Sequence, residues 1–270
     1  MIVGNPMIQT KTDREELRDR YRYLYETHLH TAESSACAKN TAVEMAKACK
    51  AFGYTGIFVT DHAWGGNTAI DRSLPWREWV TEFAKGYEHA REWGDLNGLS
   101  VFFGYESGYH GTEFLIYGIT PEWMKDHPEL HDATIKEQIG IIHGGGGIVV
   151  QAHPYREENY IPEVRTYPEY ADGIEGINAT HTSPISRNHK NDTWNRDAVK
   201  LALDHDLMIT AGSDIHSVTL FGGGILTDSI LNSPQDYIDL LKSKSMYLLT
   251  DGYEVFDRYG KHLFTDPQAF

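Results

Sequence analysis

Short apolar runs alternate along this chain with longer amphipathic stretches, and the alternation predicts strands and helices in turn. YRYLYETHLHT, residues 21–31, reads as a first strand from its aromatic and β-prone residues, and it delivers His28 and His30, two positions apart and so on one side, to its C-terminal end. TAVEMAKACKAF follows as a helix, with Thr41 and Glu44 at capping-box spacing and Gly53 as its stop. Further strands are predicted in TGIFVTDH, LSVFFGYES, TEFLIYGI, GIVVQAH, GIEGIN and LMITAGSD. Helices are predicted over PWREWVTEFAKGYEHAREW from Pro75, over DATIKEQIGIIH, over WNRDAVKLALDHD, and from Ser233 with Pro234 as first residue.

Alternating β and α units imply an α/β fold with a mainly parallel sheet. Long polar segments follow the strand ends at 63–73, 155–170 and 180–195, where a β/α barrel carries its active-site loops. An open, doubly wound sheet competes, but no GxGxxG follows the first strand, and the chemistry-bearing residues come from at least five strand ends. A closed or nearly closed barrel gathers them more readily than one crevice. No fixed-period repeat is present, and Gly144–Gly147 fits a helix-to-strand turn. The expected organisation is an N-terminal leader or helix over 1–20, one barrel domain over 21–250, and a C-terminal tail over 251–270 packed on it.

At the predicted strand ends stand His28, His30 and Glu33, His62, Glu106, His153, and Asp214 with His216. Imidazole and carboxylate donors together suit manganese, iron or zinc, and the absence of cysteine in these clusters argues against a structural zinc site. One such histidine would read as a core hydrogen-bond donor, whereas HxH, DH, HP and DxH recurring at strand ends read as one catalytic cluster. The net charge of −15 disfavours duplex nucleic acid and favours a small substrate. Bound divalent cations would cancel part of it. Cys37 and Cys49 have no CxxC spacing, so a reducing cytoplasm is the simplest compartment, and Cys37 reads as an ordinary buried thiol. No stretch has the length of a signal or membrane-spanning segment, so no membrane partner is expected.

The chain resembles the polymerase-and-histidinol-phosphatase (PHP) phosphoesterases in HLHT (28–31), TDH (60–62), GYE (104–106), AHP (152–154) and GSDIH (212–216), in order and in approximate spacing. The resemblance implies a distorted (β/α)7 TIM-like barrel, its metal site at the C-terminal ends of the strands, holding two or three divalent ions and hydrolysing phosphoesters by metal-activated hydroxide. Carried onto this chain, it would place His28, His30, Glu106 and Asp214 around one metal. Glu106 would bridge to a second beside His153, and His62 and His216 would help hold a third. Glu33 stands near a further family carboxylate or histidine, whereas the usual position reads Ser34, Ser35 and Ala36. A family histidine expected shortly after the glutamate falls near Phe114, with His110 or His143 as substitutes.

The chemistry stands without the family, because two metals about 3.5–4 Å apart lower the pKa of a bridging water and stabilise both oxygens of an in-line displacement. Asp61 is a candidate for orienting a ligand imidazole, and is equally a strand-end turn residue. Phosphate calls for a guanidinium, and Arg156, three residues after His153, is the leading candidate, ahead of Arg187 and Lys39. Trp64, Trp76 and Trp79 either pack over the rim or stack on a substrate ring. Glu175 and Asn178 face the site or a core network. The expected activity is hydrolysis of a small phosphorylated metabolite, histidinol-phosphatase-like. A nucleotide phosphatase or nuclease, or a non-catalytic metal-stabilised binding module, is the alternative.

Overall fold

The computed structural model describes residues 10–243 and 245–265. Among the described residues eleven strands form one sheet: β1 (Tyr23–Leu29), β2 (Gly56–Val59), β3 (Ser100–Tyr109), β4 (Thr112–Tyr117), β5 (Ile148–Gln151), β6 (Gly173–Asn178), β7 (Met208–Gly212), β8 (Gly223–Thr227), β9 (Leu248–Asp251), β10 (Glu254–Asp257) and β11 (His262–Thr265). Their order is β11-β10-β9-β8-β1-β2-β3-β4-β5-β6-β7. The sheet curls, for beyond β7 the chain returns to β1: the Asp214 amide donates to the His28 carbonyl (2.9 Å), the His30 amide to that of Ile215 (3.0 Å), and Leu29 and Ile215 form a parallel bridge.

The expectation of a mainly parallel sheet is corrected. Pairs β1/β2, β2/β3, β5/β6 and β6/β7 are parallel, but β4 runs antiparallel to both neighbours, and β8 to β11 extend the sheet from β1 in antiparallel fashion. The reason for the first is local. Only His110 and Gly111 separate β3 from β4, both with positive φ (48° and 88°), a turn too short for a crossover and suited to a twisted hairpin.

Helices cover the sheet where expected. Ala42–Phe52 starts at Thr41 with the full capping box to Glu44, ends at left-handed Gly53, and buries Ala42, Met45, Ala46 and Cys49, one stripe of a 3.6-residue period. The helix expected from Pro75 breaks at Ala84 into Trp76–Phe83 and Lys85–Asn97. The Ser34 hydroxyl donates to the Phe83 carbonyl (2.7 Å), which a continuous helix would have used for its own bond. Thr134, Asn191 and Ser233 cap the later helices. The expected N-terminal segment contains the helix Lys11–Arg20, and the expected tail contains β10 and β11; residues 1–9 and 266–270 lie outside the described residues.

Tyr25, Phe58, Tyr117 and Tyr237 pack in the main core, with Phe58 and Tyr117 edge to face at 5.1 Å, each such side chain worth about 1.5–3 kcal/mol of burial. The Tyr117 hydroxyl donates to the Thr27 carbonyl (2.8 Å), one residue before His28, so the core grips the strand that carries the first histidines. Among the described residues no helix is long and apolar enough to cross a membrane.

Candidate metal centre

Strand ends bring seven of the eight proposed ligands together. His28 and His30 lie at the end of β1, His62 follows β2, Glu106 is in β3, His153 follows β5, and Asp214 and His216 follow β7. His28 Nε2 lies 3.3 Å from Glu106 Oε1 and 3.4 Å from Asp214 Oδ1. His30 Nε2 lies 3.3 Å from Asp214 Oδ1 and 3.5 Å from Glu106 Oε2. His62 Nδ1 lies 2.8 Å from Glu106 Oε2, and His153 Nε2 lies 3.2 Å from Glu106 Oε1. The His30 ring stacks between those of His62 (4.3 Å) and His216 (4.2 Å).

Four of these buried atoms have no hydrogen-bond partner: His28 Nε2, His30 Nε2, His62 Nδ1 and Glu106 Oε2. Each such atom costs about 1–3 kcal/mol when left unsatisfied, and four pointing into one place is what a cation would relieve. The donors fall into groups whose ligand atoms lie within 4.8 Å of one another: His30, His62 and His216; His28, His30 and Glu106; His28, His153 and Asp214; and His62, Glu106 and Glu113. The residues therefore fit divalent metal by donor chemistry as well as by position.

The imidazoles are oriented from behind. His28 Nδ1 lies 2.8 Å from Glu175 Oε1, which can only accept, so the proton is on Nδ1 and Nε2 keeps its lone pair for the cluster. Glu175 Oε2 also accepts from the His153 amide (3.1 Å) and from Asn178 Nδ2 (3.0 Å). Sequence left Glu175 and Asn178 between site and core network; a register shift between Glu175 and Ile177 brings both to the network behind the site. Gly212 is obligatory beside them, because a Cβ there would lie 2.6 Å from the His28 Cβ.

Charge follows geometry. Burial works to raise the pKa of Glu106, but His28 and His62 hold it well below the usual carboxylate range. For Asp214, burial is likewise outweighed by Arg156 and His28. Burial opposes protonation of His28, yet Asp214, Glu175 and Glu106 together raise its pKa well above the ordinary value. The site thus demands positive charge, which a metal ion can supply in place of a proton. His153 and Asp214 hold positive φ (28° and 55°), and such backbone strain gathers at functional sites.

Arg156 is buried against the cluster. Its Nη2 donates to Asp214 Oδ2 (2.5 Å) and its Nε to His181 Nε2 (3.2 Å). His181 must therefore present a lone pair at Nε2 and its proton at Nδ1, which lies 2.8 Å from Asn195 Oδ1. Burial and then the charges of Arg156 and His153 hold the His181 pKa well below normal, keeping it neutral. A cavity of about 610 Å³ opens over the cluster, with Arg156, Tyr160, His189, Asn67 and Cys37 on its walls.

Expectations for five residues are corrected. Glu33 is not in the cluster: its Oε2 accepts from the Ala42 amide (2.8 Å) at a helix start, and its Oε1 faces His89 (3.3 Å). Asp61 touches no imidazole; it accepts from the Thr31 amide, the Thr31 hydroxyl and the Ser35 hydroxyl, each at 2.6 Å, and acts one hydroxyl removed. Lys39 and Arg187 are exposed and do not line the cavity; only the Lys39 amide touches the site, through the His216 carbonyl (2.7 Å). Cys37 is an exposed thiol on the cavity wall, where burial is outweighed by His216 and His62 and its pKa is lowered to about 6.

Sequence reasoning passed over Glu113, Ser35, His181 and Asn195. Glu113 Oε2 lies 3.5 Å from His153 Nε2, and Glu113 Oε1 lies 3.8 Å from His62 Nδ1. The signal for it was the two-residue turn, which pairs Gly108 with Glu113 and Glu106 with Leu115 and so puts both glutamates on one face. His110 lines the cavity, whereas His143 bonds Asp172 (2.8 Å) away from it. Trp79 is fully buried, and Trp64, Trp76 and His131 pack around it with ring centroids 4.1–6.4 Å apart, so the indoles form a rim core and none lines the cavity.

At the level of sequence, no protein-family profile and no curated relative matches the chain. Solved structures do. One is a two-domain protein from Bacteroides vulgatus containing a predicted PHP-like metal-dependent phosphoesterase; it aligns at a TM-score of 0.61 and 15% identity over 84% of this chain. This chain spans 64% of that protein. Another is PsfC from Pseudomonas syringae, at a TM-score of 0.53 and 16% identity over 92% of this chain and 93% of that one. At such identities the likeness is one of fold, and at that level it agrees with the resemblance carried by the motifs.

Proposed function

We propose that this chain is a metal-dependent hydrolase that cleaves the ester bond of a small phosphorylated metabolite, on a distorted (β/α)7 barrel in which β1 to β7 form the ring. One observation carries this reading: four unpartnered ligand atoms, on His28, His30, His62 and Glu106, converge beneath a cavity whose wall holds His62, Glu106 and the buried guanidinium of Arg156. Metal-binding donors beside an arginine are the two things a phosphoryl group needs.

His28, His30, His62, Glu106, His153, Asp214 and His216 would hold two or three divalent ions of the manganese, iron or zinc type. Such ions, when bound, supply Lewis acidity and charge neutralisation for in-line displacement at phosphorus. The protein's own part is placement. Arg156 commits one N–H to His181 and one to Asp214, and its other guanidinium donors, beside the Tyr160 hydroxyl on the cavity wall, are the ones that would turn to phosphoryl oxygens. Glu175 and Ser35 hold the imidazoles in the tautomers that leave ligand lone pairs free. The negative net charge and the size of the cavity, about 610 Å³, favour a small substrate over duplex nucleic acid.

The test is phosphate release from a panel of mono- and diesters by protein loaded in turn with manganese, iron and zinc. Release from small phosphomonoesters supports the reading. Activity confined to nucleotides or oligonucleotides moves the substrate class, and metal binding without release from any ester overturns hydrolysis in favour of a binding module.

A further inference from the structure

We propose that Glu113 makes one end of the cluster an oxygen-rich cation subsite, formed with Glu106 and His62 and suited to manganese(II) more than to zinc. The inference rests on reading the cluster as a divalent-metal centre, and concerns how this chain departs from the pattern that its motifs resemble. That pattern leads to a histidine shortly after the glutamate of GYE. The chain has Phe114 near that point, with the carboxylate of Glu113 next to it.

The geometry is specific to the hairpin. Glu106 and Glu113 lie on adjacent strands, on the same face, and both address the same two imidazoles: Glu106 contacts His62 at 2.8 Å and His153 at 3.2 Å, and Glu113 contacts them at 3.8 Å and 3.5 Å. Two neighbouring carboxylates in a site of low dielectric repel unless a proton or cation lies between them. His62 Nδ1 and Glu106 Oε2 are 2.8 Å apart, yet both are buried without a hydrogen-bond partner. Two donors close together but not aligned for a hydrogen bond are what two ligands of one ion look like.

The donor sets at the two ends of the cluster differ. His30, His62 and His216 offer three nitrogens, and His62, Glu106 and Glu113 offer one nitrogen and two carboxylate oxygens. Imidazole-rich sites suit zinc and iron, whereas carboxylates suit manganese and harder cations, and two carboxylates also match the charge of a dication. Zinc binds more tightly than manganese at almost any site, so the prediction concerns the ratio of the two affinities, which Glu113 should narrow.

The experiment is titration of the metal-free 270-residue chain with manganese chloride and, separately, zinc chloride, counting metal per chain and measuring affinities by competition with a chelating indicator. Wild type is compared with Glu113→Gln and Glu113→His. Glu113→Gln is expected to weaken manganese binding at this end by about tenfold or more while zinc at the imidazole end is kept. Glu113→His is expected to recover zinc binding but not manganese binding. Manganese affinity and stoichiometry unchanged in both variants overturn the proposal; if one variant fails to fold, the other carries the test. Because the readout is bound metal, the outcomes separate: a wild type that binds as expected but releases no phosphate overturns the hydrolase reading and leaves this one standing.

Discussion

His30 Nδ1 lies 3.1 Å from Ser35 Oγ, and the hydroxyl's single proton is committed to Asp61 Oδ1 at 2.6 Å. Ser35 must therefore accept at His30, which fixes the proton on Nδ1 and turns the lone pair of Nε2 into the cluster. The same oxygen accepts from the His62 amide (3.0 Å), so one hydroxyl orients two ligand-bearing segments. Ser35→Ala should then lower metal affinity by about 10- to 100-fold, the usual cost of losing a group that orients a ligand. Isothermal titration with manganese or zinc reads this directly, and unchanged affinity would remove Ser35 and Asp61 from the machinery.

His181 is expected to set the affinity for the substrate's phosphate through Arg156. His181→Ala removes the acceptor of the Arg156 Nε–H and should raise KM about tenfold, equivalent to about 1.4 kcal/mol, with a smaller change in kcat. Glutamine can accept from Arg156 and donate to Asn195, so His181→Gln should recover most of the loss. A purely structural role would instead lower the melting temperature of both variants without a KM shift, and steady-state kinetics beside thermal unfolding tell the two apart.

What the sequence made legible, and what it hid, divides along one physical line. His28, His30, His62, His153 and Asp214 could be read because each sits at or just beyond the end of an apolar run, and strand ends in a curled sheet converge. Helix starts at Thr41 and Ser233 were legible for the same reason, since caps are local chemistry. Strand direction was not, because alternating patterns look alike whether neighbours run parallel or antiparallel, and only the His110–Gly111 turn betrays β4. Ser35, His181 and Asn195 were hidden because their roles depend on partners in distant segments. Glu33 misled by proximity: two apolar-to-polar transitions lie within a few residues, and the helix start at Ala42 captured its carboxylate.

Asp214→Asn separates catalysis from structure. The exchange removes a proposed metal ligand and the counter-charge of a buried arginine, since Asp214 and Arg156 are each 4% exposed in their side chains and 2.5 Å apart. Stripping one partner from a buried pair costs about 3–5 kcal/mol, within the 5–15 kcal/mol by which domains of this kind are folded. The variant should therefore remain folded at 25 °C by circular dichroism, with a lowered melting temperature, and lose phosphate release by at least about a hundredfold. Turnover at the wild-type level would refute the assignment of Asp214.

Glu26, two residues before His28, gives the fold a pH dependence of unusual sign. Its Oε1 accepts from the amides of His28 (2.9 Å) and Ser213 (2.8 Å). The Tyr54 hydroxyl is 2.7 Å from the Gly223 carbonyl, which can only accept, so its one proton goes there; Glu26 Oε2, 3.1 Å away, then donates to Tyr54 and is protonated. Burial, only partly offset by Ser213 and the His28 amide, raises its pKa from 4.5 to about 7. A folded pKa above the unfolded one means that stability is fully present below about 4.5 and is lost as pH rises through about 7, on the order of 3 kcal/mol in all for such a shift. Glu26→Gln keeps the same shape, with Oε1 accepting from both amides and Nε2 donating to Tyr54, and it cannot ionise. Chemical denaturation of the metal-free chain between pH 5 and 7.5 should show the variant gaining on wild type as pH rises, and parallel curves would mean that Glu26 is charged in the fold.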